Sequence, residues 1–258
     1  MTNSIVAAAA LAALSGSAFA AQYEWNWTPA TGGIVNNNAG AYESIRATYD
    51  TSNQRFVWQV VFGNQVTDGL TIAVNNGSMP SGQPDELAMV HFDFSSGAPL
   101  VSVYRYNGAD ANNSWRDGDG NVSGLQPVDV IHRTNDTSWR NASVVDAGGK
   151  RTFSLDLDAS LINGFSPTNL GSNGVSDWEG IGFDQGLGLW MHSYDSLSTA
   201  YSNGALTQWN YGSWGLVEGS GFHTVLVPLP PAAWAGIGGL AAVGFVSRRR
   251  KQAMTNQA

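Results

Sequence analysis

Phe56-Val57-Trp58-Gln59-Val60-Val61-Phe62 is the stretch that decides the fold. Phe56, Trp58, Val60 and Phe62 fall on one side of a two-residue repeat, with Gln59 among the residues opposite. That period belongs to a strand with one apolar face. Outward from it the same signal recurs. Ala88, Val90, Phe92 and Phe94 alternate with Met89, His91 and Asp93. Ser95-Ser96-Gly97 then turns the chain into Leu100–Tyr106, which predicts a hairpin. Tyr23, Trp25 and Trp27 alternate in a first strand, Val66-Thr67-Asp68-Gly69 reads as a turn before Leu70–Val74, and Phe153, Leu155 and Leu157 point inward from another strand. Shorter strands are predicted at Val128–His132 and Ser138–Val145. Trp178–Phe183 and Leu187–Tyr194 read as a second hairpin, and Leu206–Tyr211 and Gly221–Val227 close the series. Asp158 is placed to cap one helical turn over Ala159–Asn163. No long helical period occurs between the chain's two end segments, and no repeat of fixed length. Many short strands between Gly, Asn, Asp and Ser turns predict an all-β fold, an antiparallel β-sandwich or jelly-roll-like domain.

The ends have a different character. Ile5–Leu14 is rich in Ala and Leu, and Ala18-Phe19-Ala20 is a small-x-small cleavage site before Ala21. Residues 1–20 therefore read as a signal peptide, although Met1-Thr2-Asn3-Ser4 carries no Lys or Arg. The exported domain, residues 21–226, holds all 20 acids but only eight of the 12 cations. This acidic balance argues against nucleic acid as a partner, because phosphate binding needs clustered Lys and Arg. The chain has no cysteine. A domain near 200 residues can bury a sufficient core without disulfides.

The C-terminal segment, residues 227–251, has three parts. Val227-Pro228-Leu229-Pro230 with Pro231 cannot form a regular strand or helix. Ala232–Val246 is uncharged and would make a helix of about 22 Å. Arg248-Arg249-Arg250-Lys251 is costly to move across a bilayer and marks a cytoplasmic side, leaving residues 252–258 as a short tail. This order of parts resembles the C-terminal sorting signals of the PEP-CTERM class, in the variant beginning Val-Pro-Leu-Pro. Leu229 stands where the Pro-x-Pro core of that class has Glu, and Pro231 is an additional proline. The resemblance implies an exported protein whose tail is cut near the proline motif by an exosortase-like membrane transpeptidase. Ala232 and Gly236, and Ala235 and Gly239, would let the apolar helix dock closely on a membrane partner.

Candidate chemistry is sparse. Nine tryptophans lie in the exported domain, and an exposed indole can stack on a sugar ring. Trp115, Trp139, Trp209, Tyr211 and Trp214 sit in polar surroundings and are the candidate platform residues; Trp58, on a wholly apolar strand face, reads as core. Asp117, Asp119 and Asn121 alternate as in the first half of a calcium loop. Val122 and Val128, however, stand where an EF-hand needs Gly and Glu. A looser Ca²⁺ site or a plain Asp-Gly turn remains, and no other cofactor is expected. His91, His132, His192 and His223 show no zinc-ligand spacing and read as strand histidines. Asp156 with Asp158, and Asp177 with Glu179, are the carboxylate pairs that a glycosidase could use or that could be solvated on an outer face.

The expected protein is an exported surface or extracellular-matrix protein, non-enzymatic, whose β domain binds polysaccharide or packs structurally. Two alternatives stand beside it: a secreted jelly-roll hydrolase, and an uncut single-pass protein held in the membrane by its C-terminal helix.

Overall fold

The computed structural model describes residues 22–75, 88–105, 130–163 and 188–218. The signal-peptide residues, the sorting motif, the apolar helix, the Arg cluster and the Asp117–Asn121 loop all lie outside them. So do Trp115, Asp177, Glu179 and the expected strands at 178–183 and 221–227.

Among the described residues there are fourteen strands. β1 (Gln22–Trp27), β3 (Tyr42–Asp50), β4 (Arg55–Phe62), β9 (Arg140–Ala147) and β10 (Lys150–Asp158) form one sheet in the order β1-β3-β4-β10-β9. β2 (Ile34–Asn37), β5 (Thr67–Asn75), β6 (Ala88–Asp93), β7 (Leu100–Arg105), β8 (Val130–His132), β11 (Gly188–Asp195) and β14 (Trp214–Glu218) form the second, in the order β2-β14-β11-β5-β6-β7-β8. β12 (Ser198–Ser202) and β13 (Ala205–Asn210) pair as a separate hairpin. Every pairing is antiparallel. The short helix α1 (Ser160–Asn163) follows β10, and the Asp158 carboxylate accepts a hydrogen bond from the Ser160 N–H.

The two large sheets share one core, so the fold is all-β and sandwich-like. Phe56, Trp58, Val60 and Phe62 of β4 are all buried, as their alternation requires, and they meet Leu70, Ile72, Val74, Val90, Phe92, Val101 and Val103 of the opposite sheet. Phe153 sits where the layers join, edge-on to Phe62, Phe92 and Phe94 at 6.0, 5.2 and 6.2 Å. Each such ring removed from water contributes on the order of 2–3 kcal/mol. Arg151 of β10 clips the layers together. It holds Asp146 through two 2.8 Å bonds, donates to the Thr67 carbonyl of β5 at 2.7 Å and lies over the Phe94 ring.

The structure also alters several local expectations. The stretch Val66–Gly69 is not simply a turn, since β5 begins at Thr67. Leu187–Tyr194 corresponds to β11, which pairs with β5 and β14. Three strands, β2, β12 and β14, rise from sequence that had no strand signal of its own, and β2 is held by its pairing with β14. β12 is polar, and β14 carries Gly215 near its start. Both are held by tertiary pairing, not by an apolar alternation.

Candidate functional site

The outer face of the seven-stranded sheet gathers the unusual chemistry. Alternation on β6 sends Ala88, Val90 and Phe92 into the shared core and leaves Met89, His91 and Asp93 on the other side, yet all six are buried. The cover is the β12–β13 hairpin. Leu197, Leu206 and Trp209 pack on Ala73, Met89, Tyr104 and Tyr194 in a second apolar cluster. Gly69 makes the close approach possible, because a Cβ there would collide with the Leu197 side chain.

Polar contacts lock that cover down. The Asp93 carboxylate, 1% exposed, accepts from the Ser95 N–H at 2.8 Å, from Thr199 Oγ1 at 2.6 Å and from Tyr201 Oη at 2.8 Å. Burial and the neighbouring Asp93 charge both push the Tyr201 hydroxyl pKa upward, so it stays a proton donor. Tyr104 Oη accepts the Leu206 N–H at 2.7 Å. His91 is enclosed by the edges of Tyr104 and Trp209, at 5.3 and 5.2 Å.

Beyond the hairpin the same face becomes an aromatic strip. His192 meets Trp190 at 4.2 Å and lies nearly parallel to Trp214 at 5.3 Å and 14°. Tyr211 leans on Tyr194 at 4.6 Å. Tyr211 and Trp214 keep 40% and 36% of their surface in solvent. The connection carrying them is fixed by Asp195, which accepts from the Ser213 N–H and Oγ at 2.5 and 2.7 Å, while its carbonyl takes the Gly212 N–H. Burial pulls the His192 pKa down to about 4, so the ring inside this strip is neutral near pH 7.

The structure separates the platform candidates. Tyr211 and Trp214 are exposed, whereas Trp139 and Trp209 are buried, at 5% and 3%, and the expectation for those two is corrected. Trp209 is part of the hairpin's apolar seal. Trp139 stacks flat on His132 at 4.0 Å, donates its Nε1–H to the Asp136 carbonyl and carries the Arg140 guanidinium at 5.5 Å. Polarity of the flanking sequence misled here, because Asp136 and Ser138 are tied into a turn beside a buried ring. Burial likewise lowers the His132 pKa to about 4.

A groove of about 320 Å³ runs past Asn53, Arg55, Ser138, Asn141 and Asp156 on the five-stranded side. Its acid is not free: Arg55 grips Asp156 with both Nε and Nη2. Asp158 caps α1, and its hydrogen bonds to Ser160 pull its pKa down. Each other carboxylate with a described side chain is also engaged. Glu24 holds Arg46, Glu43 holds Lys150, Asp68 and Asp146 hold Arg151, and Asp50, Asp136 and Asp195 hold turn residues. Among the described residues no three His, Cys, Asp or Glu side chains converge as a metal site, and no helix is long and apolar enough to cross a membrane. Trp190, Asp93 and Tyr201 are the site residues that sequence reasoning did not single out, and His192, read there as a strand histidine, does lie on β11. Alternation at Trp190, His192 and Tyr194 was the available signal. No family model matches the chain, and no curated protein or solved structure is detectably similar to it.

Proposed function

We propose that this chain is an exported surface or extracellular-matrix protein whose β-sandwich binds polysaccharide without cleaving it. The observation that carries the reading is the aromatic strip of Trp190, His192, Tyr211 and Trp214 on the outer face of the larger sheet. A half-exposed indole backed by a neutral, nearly parallel imidazole is a rigid apolar surface on which a pyranose ring can lie. Such aromatic anchors bind at small entropic cost. Of the two carboxylate pairs that glycoside cleavage could use, one is engaged: Asp156 is held by Arg55 and Asp158 by Ser160.

Export rests on the sequence of the two ends. The signal peptide would be removed before Ala21, and the tail from Val227 to Lys251 would be handled by an exosortase-like transpeptidase, with membrane attachment lasting until the cut. An intact-mass measurement on material from the native host tests this. A product ending near Pro231 is expected, and a chain running from Ala21 through Ala258 overturns the sorting reading.

Binding is tested by affinity electrophoresis of the full chain in gels containing neutral polysaccharides, with Trp214→Ala alongside. Retardation of the wild type and roughly tenfold weaker retention of the variant are expected, corresponding to the loss of one anchoring contact of about 1.4 kcal/mol. A wild-type chain retarded by no polysaccharide overturns the reading.

A further inference from the structure

The five-stranded sheet ends on β9, whose second edge pairs with no described strand. The turn that returns it to β10 is Gly148-Gly149, with φ of 59° and 79°, and the flanking pair is Ala147 opposite Lys150. Two residues with positive φ make the tight hairpin turn whose flanking pair exchanges backbone hydrogen bonds. From that pair the ladder alternates. Ala147, Val145, Ser143 and Asn141 bond to β10, while the backbone groups of Asp146, Val144, Ala142 and Arg140 point to the open edge. An eight-residue edge with the uncharged centre Asn141-Ala142-Ser143-Val144-Val145 is a template for another strand. Its exposed Val145, at 55%, adds apolar surface beside that edge.

The sequence of β9 is complementary to itself when reversed. Place a second copy antiparallel with Ser143 opposite Ser143. Ala142 then faces Val144, Asn141 faces Val145, and Arg140 faces Asp146, each twice. The residues whose backbone groups point to the open edge fall opposite one another, as hydrogen-bonded pairs must. Small meets large on the inner side, and at both ends Arg140 comes opposite Asp146, whose carboxylate also takes two bonds from Arg151 of its own chain and would be shared between the two guanidinium groups. Among the described residues Arg140 forms no salt bridge: its Nε is buried without a hydrogen bond, its guanidinium lies over Trp139, and Asp136 acts on it only through the field of its charge. A half-buried guanidinium gains from a carboxylate supplied by a neighbour.

We infer that β9 is a self-association edge, through which two copies of this chain join antiparallel about Ser143 and continue the five-stranded sheet from one molecule into the next. The partner is a second copy because the edge supplies its own complement in one register, with both ionic pairs made by the same two residues. Self-association through β9 does not depend on polysaccharide binding.

The chain has no cysteine, so single cysteines report the register directly. In the full-length chain, kept in mild detergent, Ser143→Cys should form a disulfide-linked dimer under gentle oxidation. Non-bonded cross-strand partners lie about 4.5 Å apart at Cα, within disulfide reach. Asn141→Cys and Val145→Cys, exposed on the same side, should not cross-link to themselves, being offset by about 14 Å at 3.4 Å per residue. A mixture of those two should give the heterodimer. Ala142→Pro removes only an edge-facing N–H and should cut Ser143→Cys cross-linking at least tenfold, with the circular dichroism unchanged. Three results overturn the inference. One is a Ser143→Cys chain that stays monomeric whether or not maleimide reaches the new thiol, protection there meaning that another segment of the same chain covers β9. The others are equal self-cross-linking at positions 141 and 145, and cross-linking that survives Ala142→Pro in folded protein.

Discussion

The outer faces of the two sheets are built from the same alternating strands and carry opposite chemistry. On the five-stranded sheet the outward residues are mostly polar, among them Glu24, Arg46, Thr48, Gln59, Ser154, Asp156 and Asn141, with Val57 and Val145 exposed beside them. Their ionic pairs, Arg55 with Asp156 and Lys150 with Glu43, stand in solvent. On the seven-stranded sheet the outward residues are aromatic rings and isolated polar groups together with Ala73 and Met89, and a hairpin seals part of them. The same kind of residue therefore does different work on each side. Asp156 is a part-exposed acid in a surface pair, whereas Asp93 is fully buried and holds three donors. The difference is energetic. A polar group stabilises little where water competes for it, and is costly to remove where its partners would be stranded.

Lifting the hairpin tests this contrast hardest. Trp209→Ala should lower stability by about 3–5 kcal/mol, as loss of a buried indole does, and should expose His91 and Tyr104 to solvent. Urea unfolding measures the loss, and a change below about 1 kcal/mol would mean that the hairpin does not seal this face. Asp93→Ala should follow at about 3 kcal/mol, since the Ser95 N–H and two hydroxyls lose their acceptor together. The matching change on the other face, Asp156→Asn, should cost less than about 1 kcal/mol. Equal losses at the two acids would erase the distinction.

Protonation gives a second, smaller measure. His192 has its folded pKa lowered to about 4 from an ordinary 6.5, so above pH 6.5 the ring is neutral in both states and its burial carries no proton penalty. As pH falls from 6.5 toward 4 the unfolded chain takes up the proton first, and stability is lost across that window. His132 acts in the same direction. His192→Phe should therefore flatten the pH dependence of unfolding stability between pH 7 and 4.5 by about 1–2 kcal/mol, with little effect at pH 7.5. An unchanged slope in urea titrations across that range would place the titration elsewhere. The smallest effect is expected for Trp214→Ala, within about 1 kcal/mol of wild type, because the ring keeps about a third of its surface in solvent. If that variant unfolds readily, Trp214 belongs to the packing of the strip and not to a platform.

Residue order alone was enough to find the strands with strong alternation. Phe56–Phe62, Ala88–Phe94 and Phe153–Leu157 could bury their apolar sides only as half of a two-layer core, and Asp158 announced the helical turn it caps. The second side of each sheet was decided by tertiary packing. Met89, His91 and Asp93 share a face in any reading, but that face is sealed because Gly69, 20 to 24 residues away in sequence, admits Leu197, and because Tyr201 and Thr199 arrive from a polar strand with no periodic signal. Trp139 and Trp209 show the same limit. Their flanking residues are polar, and their burial depends on His132, Arg140, His91 and Tyr194, most of them brought in by other strands. Alternation states that a side exists, and only the packing of distant segments determines what covers it.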